Sequence, residues 1–552
     1  MKHVLLLLIS AGAVLAAGYS TSTVMEVTSE GAFATHPSGP FALPLEVSET
    51  PLQDADLLWH FSATTGFIQK VCEIGEQGYY VFTGGWYGGA KMFRGLDGDG
   101  TVYWENEPAL GDSLYWKNLA TGTAAAYDAD AFFAVRTFDV WNDNGTPGQT
   151  GDDFLVTEDK VEVCFYEDDG PGPDWTWDGT GVFLAASPDE PGRLALTEDG
   201  GTLAVAGAIN GNTGLAVFHP DSASPSLLYE NPGYQYFPRQ TRITADGSKI
   251  ICSVSADLLR VDVATGTTEA TFNLGASTDC FGISADGGAV AYGFTSLRLA
   301  QWNGSAYALA WSYPISGYYA GAACISDDGQ KVFFGAYKNT YLSNRIVRFD
   351  AGSSSPVWTY DTPMGSGGYQ DVVSWMDCSS DGGKLAVCSW GCQTGGGDEV
   401  IVIDDDAPSA PFFSIDSPGS MWHVDISPDG SYVCATGKHV HANQMGSGAD
   451  IYMADVTETG MEGSSPAQRL QLSLSPNPSP GSAAIGFTLP GAGTAEISIF
   501  DLTGRRVRQL TTVNLGSGQH SVPVSTDLPS GLYIVNLDFC GERISEKLVI
   551  SR

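Results

Sequence analysis

Aromatic and basic side chains gather in two kinds of loop. Some precede an apolar run: Tyr236 and Arg239 in "GYQYFPR", Tyr319 in "SGYYAG", Tyr369 and Asp371 in "GGYQD", Trp422 and His423 in "SMWHVD". Others follow one: Trp86 and Tyr87 in "GGWYGG", Trp141, Tyr337, Trp390 in "CSWGC", His439 and His441 in "GKHVHAN". Aromatic rings offer flat apolar area with a polar rim, the surface that sugar rings and peptide side chains bind. His439 and His441 could also be two ligands of a metal, but no third is in sight, so no metal is assigned. No catalytic residue is assigned either. The chain lacks a G-x-S-x-G elbow, an H-E-x-x-H pair and a G-x-x-x-x-G-K-[ST] loop, and it has 8 His. Asp404-Asp405-Asp406 and Glu167-Asp168-Asp169 read as solvated turns, with calcium the one cofactor left open. "WNDNGTPGQTGDD" fails the calcium-loop register, because position one falls on Val140 and position twelve on Gly151.

What positions these loops is a repeat. "VDISPDGSYVCATG" from Val424 recurs in five variants upstream. Its turn Asp residues (Asp199, Asp246, Asp286, Asp328, Asp381, Asp429) follow one another at 47, 40, 42, 53 and 48 residues. Before each turn, apolar and polar residues alternate, as in Trp422, Val424, Ile426 against His423, Asp425, Ser427. That is the period of a half-buried strand. Ser/Thr-x-Asp-Gly makes the turn, since Asp bonds nearby backbone and Gly accepts positive φ. A more uniformly apolar second strand, then a third and a fourth, complete each period. Four antiparallel strands per repeat of this length describe a propeller blade better than a solenoid of hairpins. Segments 68–104 and 122–169 supply two more periods, giving eight blades, or seven if 122–169 is misread. Residues 56–63 read as a fourth strand without a blade, and the last blade lacks one, so the N-terminal strand should close the ring. Both loop types then open on one face around the channel, and the Asp-Gly turns lie opposite.

The repeats resemble WD-repeat-like propellers, and Asp262-Val-Ala-Thr265-Gly266 resembles a quinoprotein-like coil. The regular Trp and adjacent cysteines of quinoproteins are missing, which disfavours quinone binding. Propellers host enzymes and binders alike.

The expected organisation is a signal peptide at 1–18, an N-terminal extension at 19–55, a propeller at 56–456, a linker at 457–470 and a sandwich at 471–552. "MKHVLLLLISAGAVLAAGYS" carries one Lys, an apolar run and small residues, as secretory signals do. No other apolar run reaches the length of a spanning helix. From Gln471 onward six Lys/Arg balance six Asp/Glu, so the preceding residues hold the formal net charge of −38. Such acidity argues against nucleic acid or anionic membranes as partners. The 10 Cys form no disulfide framework; Cys388 and Cys392 could bridge a loop, and free buried thiols are the alternative.

Beyond the linker, Ala495, Ile497 and Ile499 alternate with Glu496 and Ser498, and short strands with turn signals predict a small immunoglobulin-like β-sandwich. Pro476-Asn477-Pro478, Asp501, Gly504, Val507, Leu528-x-x-Gly531-x-Tyr533 and the closing Lys547-Leu-Val-Ile-Ser-Arg552 resemble the type A C-terminal sorting domain of the type IX secretion system. The resemblance implies passage through the periplasm, contact with the type IX machinery, and attachment to or release from the cell surface. The chain therefore reads as an all-β, secreted or surface protein, a monomer binding an extracellular glycan or peptide without catalysis. The alternative is a propeller enzyme acting on extracellular polysaccharide through paired carboxylates.

Overall fold

The computed structural model describes the hairpin Val24–Thr28 and Gly31–Thr35, residues 57–457 except 97, 148–149, 168–169, 186 and 442–445, and most of 471–551. The expected signal peptide, most of the extension, nearly all of the linker, Pro476, Asn477, Pro478 and Gly504 lie outside the described residues. The chain forms two compact bodies, residues 1–459 and 460–552.

In the first body the repeated phrase folds as its chemistry dictates. In all six copies the Ser/Thr hydroxyl donates to Oδ1 of the turn Asp, at 2.6–2.8 Å. A backbone N–H two residues beyond the Asp donates to the same oxygen, from Gly201, Ser248, Gly288, Gln330, Gly383 and Ser431. The Gly of each turn sits at φ 61–72°, a region that L side chains avoid. These hairpins build sheets of four antiparallel strands in chain order. Sheet 1 begins at Ile68–Gly75 and ends at Trp104–Asn106; sheet 2 runs from Leu114–Ala125 to Trp175–Asp178. A single pairing, Trp86 with Ala120, joins these two. Sheets 3 to 7 begin at Leu194–Leu196, Gln240–Ile243, Phe281–Ile283, Tyr318–Ile325 and Val373–Cys378. Sheet 8 holds Met421–Ile426, Tyr432–Lys438 and Ala449–Asp455, and its fourth strand is Leu57–Ala63 from the other end of the chain.

The first strand of each sheet packs on the first strand of the next, and that of sheet 8 packs on Ile68–Gly75 of sheet 1. These contacts form a closed cycle, the geometry of a propeller. Trp59 fastens the seam. It is buried, stacks on Phe93 at 5.2 Å, and its Nε1 donates to the Gly95 carbonyl at 3.0 Å. On the turn side, backbone bonds pass from sheet to sheet: Ala245 N–H to Ala285 O, Ala285 to Asp327, Asp327 to Ser380, Ser380 to Pro428. The turns are thus scaffold.

Sheet 2 departs from expectation. It extends beyond 122–169, with strands Leu114–Ala125, Phe132–Asn142 and Phe154–Tyr166 far longer than their counterparts. Leu119, Phe138 and Val140 give the extension its own small core.

The second body has two sheets, one of Gln471–Ser475, Ser482–Leu489 and Gly518–Ser525, the other of Gly493–Asp501, Arg506–Leu515, Gly531–Phe539 and Glu542–Ile550. Ile485, Phe487, Ile497, Ile499, Val535 and Leu548 share one core. Ala495, Ile497 and Ile499 are buried as their alternation predicts, and Ser498 is buried too.

Candidate functional site

Four neighbouring inner strands share a feature that those of sheets 3 to 5 lack. Each carries a β-bulge at the same level, with one extra residue opposite its partner strand. The extra residues are Gly321 in sheet 6, Ser374 in sheet 7, Trp422 in sheet 8 and Lys70 in sheet 1. A bulge re-aims its side chain and shifts every later residue across the strand. At Gly321 a Cβ would come within 2.4 Å of the Val373 carbonyl, so sheets 6 and 7 approach too closely there for a side chain.

At the bulge level, Lys70 and Trp422 come together. Lys70 Nζ lies 5.2 Å from the Trp86 ring and 5.4 Å from that of Trp422, and it pairs with Asp189 at 2.9 Å and Glu190 at 2.7 Å. Burial pulls its pKa down, but the two carboxylates more than offset this and keep it charged. Glu190 in turn stays ionised: Lys70 outweighs the burial, with Arg193 and Arg239 adding to it. Tyr87 stacks on Trp86 at 5.0 Å, and Trp390 lies 5.1 Å from Trp422. Tyr87 is 38% exposed and held at φ 59°, a strained backbone for an aromatic residue. Tyr87, Trp86, Lys70, Trp422 and Trp390 therefore form one continuous aromatic and cationic platform.

Three residues past each bulge residue lies the next tier of the channel. Its members are Cys324, Asp377, Asp425 and Glu73, lining a cavity of about 270 Å³ with Arg242 and Trp375. The Asp425 carboxylate accepts from Ile74 N–H at 2.7 Å, and Arg242 stacks over Trp375 at 4.7 Å. Burial, then the charge of Asp377, pushes Glu73 up to about 8, with Arg242 opposing. Burial likewise raises Asp377 and Asp425, and it lowers Arg242 to about 10 against the pull of Asp377 and Glu73. Glu73 and Asp377 thus share one guanidinium, and both crowd Asp425. Sequence reading missed all three. The signal was available for two: Asp377 and Asp425 each stand four residues before a turn Asp, where the other copies have Ala195, Arg242, Gly282 and Cys324. Glu73 belongs to the copy whose turn is a different one, Glu76–Gly78.

The other expected residues divide. Tyr319 and Tyr337 meet at 5.8 Å between Phe294 and Tyr341, but Tyr337 is buried and serves as packing. Tyr369 lies 4.9 Å from the His441 ring, whose Nδ1 donates to the Trp390 carbonyl at 2.9 Å. Arg239 is held by Asp279 in a two-pronged pair at 2.7 and 2.5 Å. Tyr236, 64% exposed, stands at a separate groove beside sheet 2. Trp141 lies on the sheet 2 extension under Lys117 at 3.9 Å.

His423 is corrected: it is buried against Trp375 at 4.9 Å, with Nδ1 3.0 Å from the Cys72 carbonyl, and burial pushes its pKa down to about 3. The bulge at Trp422 turned it inward. His439 and His441 do not converge either. His439 pairs with the buried Asp450, which also holds His60 of the N-terminal strand, so His439 helps fasten the seam. Among the described residues no group of three or more His, Cys, Asp or Glu side chains could hold a metal ion. Nor do Cys388 and Cys392 bridge: the first thiol contacts Ser374, the second the Leu342 carbonyl.

In the second body Asp501 accepts from Arg505 N–H at 3.1 Å and pairs with its guanidinium, tying off a turn. The Tyr533 hydroxyl donates to the Pro529 carbonyl at 2.9 Å, fixing the chain that enters at Gly531. Lys547 is exposed near the end of the last strand. The described motif residues are turn and strand builders.

Residues 473–551 match the family model described as a secretion system C-terminal sorting domain. No curated protein matches the chain. Among solved structures, the beta-propeller domain of Cps50 (Swd1) from Myceliophteria thermophila is similar at 12% identity and a TM-score of 0.40, over 62% of this chain and 97% of that one.

Proposed function

We infer that the chain, which carries a C-terminal sorting domain behind a propeller, is directed by the type IX system to the cell surface or extracellular space. We propose that it is an eight-bladed propeller followed by an immunoglobulin-like sandwich, and that the propeller, as a monomer, binds an extracellular glycan or peptide at the bulged side of the channel mouth. The observation that carries this reading is the platform of Tyr87, Trp86, Trp422 and Trp390 around Lys70. It combines a rigid cation, flat apolar faces and a strained exposed tyrosine, and β-bulges gather where a side chain must be aimed. No cofactor is required for this role. Replacing Trp86, Trp390 and Trp422 singly with Ala and screening glycan and peptide arrays tests it. Retained binding by all three variants would contradict it.

A second reading, an enzyme acting on extracellular polysaccharide, is favoured by the tier of Glu73, Asp377 and Asp425 below the platform. A carboxyl raised to about 8 is a proton donor at neutral pH, and an ionised neighbour would complete the pair that glycoside cleavage needs. Release of reducing ends from polysaccharides by wild type, abolished in Glu73→Gln, would establish it.

A further inference from the structure

The third strand of sheet 2, Phe154–Tyr166, pairs with Phe132–Asn142 on one side, with register shifts at Val156 and at Glu158–Asp159. On its other side Trp175–Asp178 covers only Glu162–Phe165. Among the described residues, no backbone pairing covers the outer edge of residues 154–158. This uncovered stretch also carries three consecutive, exposed apolar side chains, Phe154 at 51%, Leu155 at 41% and Val156 at 50%. Natural edge strands are ordinarily short, charged or covered, so an apolar open edge is a template for another strand.

The edge leads into a groove of about 340 Å³. Its near wall is Glu158 and Asp159, and its far wall includes Val182 and Tyr236, 51% and 64% exposed. Asp159 N–H donates to Asp139 Oδ1 at 3.1 Å, so a third carboxylate stands close by. Burial, then the charges of Asp139 and Glu158, raises the Asp159 pKa. A cation entering the groove would relieve that crowding, with the Tyr236 ring as an apolar and cation-binding face. The formal charge of −38 on the chain favours basic partners over acidic ones at long range.

We propose that the open edge of Phe154–Glu158 and the adjoining groove dock an extended basic peptide segment. The segment adds to sheet 2 as a further strand, rests apolar side chains on Phe154 and Val156, and places a Lys or Arg between Glu158, Asp159 and Tyr236. Strand addition supplies affinity through the main chain and specificity through alternate side chains. The site is separate from the channel platform, so either can fail alone.

The test uses the full chain and two labelled seven-residue probes, one alternating lysine and valine, the other glutamate and valine. Fluorescence anisotropy should show binding of the lysine probe only, weakened at least ~10-fold in Glu158→Lys/Asp159→Lys and in Phe154→Ala/Val156→Ala. Hydrogen–deuterium exchange should slow at residues 154–158 on adding the lysine probe. Absence of binding, equal affinity in both variants, or protection elsewhere would overturn the proposal. So would a monomer–dimer equilibrium abolished by Phe154→Ala/Val156→Ala, which would assign the edge to a second copy.

Discussion

Sheets 3 to 5 and sheets 6 to 8 with sheet 1 are two arcs of one ring, one on each side of sheet 2, and their inner strands differ. In sheets 3 to 5 the inner strands are short, Leu194–Leu196, Gln240–Ile243 and Phe281–Ile283, and pair without a bulge. Their residues four before the turn Asp are Ala195, Arg242 and Gly282. In the other arc the inner strands are longer, each holds one extra residue, and three of the four corresponding channel positions are acidic. A single inserted residue per strand, rather than a new loop, distinguishes the two arcs. The Asp-Gly turns are the same in sheets 3 to 5 and in sheets 6 to 8, so the stability they supply is shared.

The largest effect should come from the seam, which lies in the bulged arc. Trp59→Ala should lower unfolding stability by about 3–5 kcal/mol in urea titration, as for other buried Trp losses. Trp311→Ala on the outer strand of sheet 5, half-buried and bonded to Ala351 O, should cost only about 1–2 kcal/mol. Equal losses would remove the seam as a special point.

Next come the turns, where the two arcs should behave alike. Asp286→Ala in sheet 5 and Asp429→Ala in sheet 8 should each cost about 1–3 kcal/mol, since each strands a hydroxyl and a backbone N–H. The Ser284 hydroxyl holds Asp286 below the usual carboxylate range; at Asp429 burial works the other way and the hydrogen bonds prevail. The native pKa is thus depressed, so this stabilisation is present above the unfolded carboxylate pKa and lost as pH falls through the native one. Each variant should unfold with a shallower acid limb.

An opposite pH effect should mark the bulged strands. Glu73 titrates near 8 in the native state against 4.5 as an ordinary carboxyl. Between those values the unfolded chain has released the proton and the native protein retains it, so this group makes stability fall as pH rises. Glu73→Gln should flatten that slope over pH 5–8 in thermal melts, whereas Arg242→Gln should steepen it. An unchanged slope in Glu73→Gln would mean that the channel carboxyls are well solvated.

How far these features could be read beforehand follows from their range along the chain. The turns were legible because Asp, Gly and the Ser/Thr two residues earlier act on one another locally. The N-terminal strand was legible because Leu57–Ala63 lacked neighbours and Met421–Asp455 lacked a fourth strand. Bulges were not, because a bulge is a relation of register between two strands. That explains the error at His423: simple alternation set Trp422 with Val424 and Ile426 against Asp425, whereas the extra residue leaves His423, Val424 and Ile426 buried, Trp422 half-buried and Asp425 lining the channel cavity. Tyr337 was misplaced for a similar reason, since an aromatic at the end of a strand packs or projects according to neighbours that the sequence does not reveal.

The central claim is that binding belongs to the bulged arc of the mouth. Hydrogen–deuterium exchange of the full chain, with and without the strongest ligand from the array screen, tests it most directly. The account predicts slowed exchange in 68–73, 373–377 and 421–425, with 194–196 and 281–283 unchanged. Uniform protection around the ring, or protection confined to the Asp-Gly turns, would contradict it.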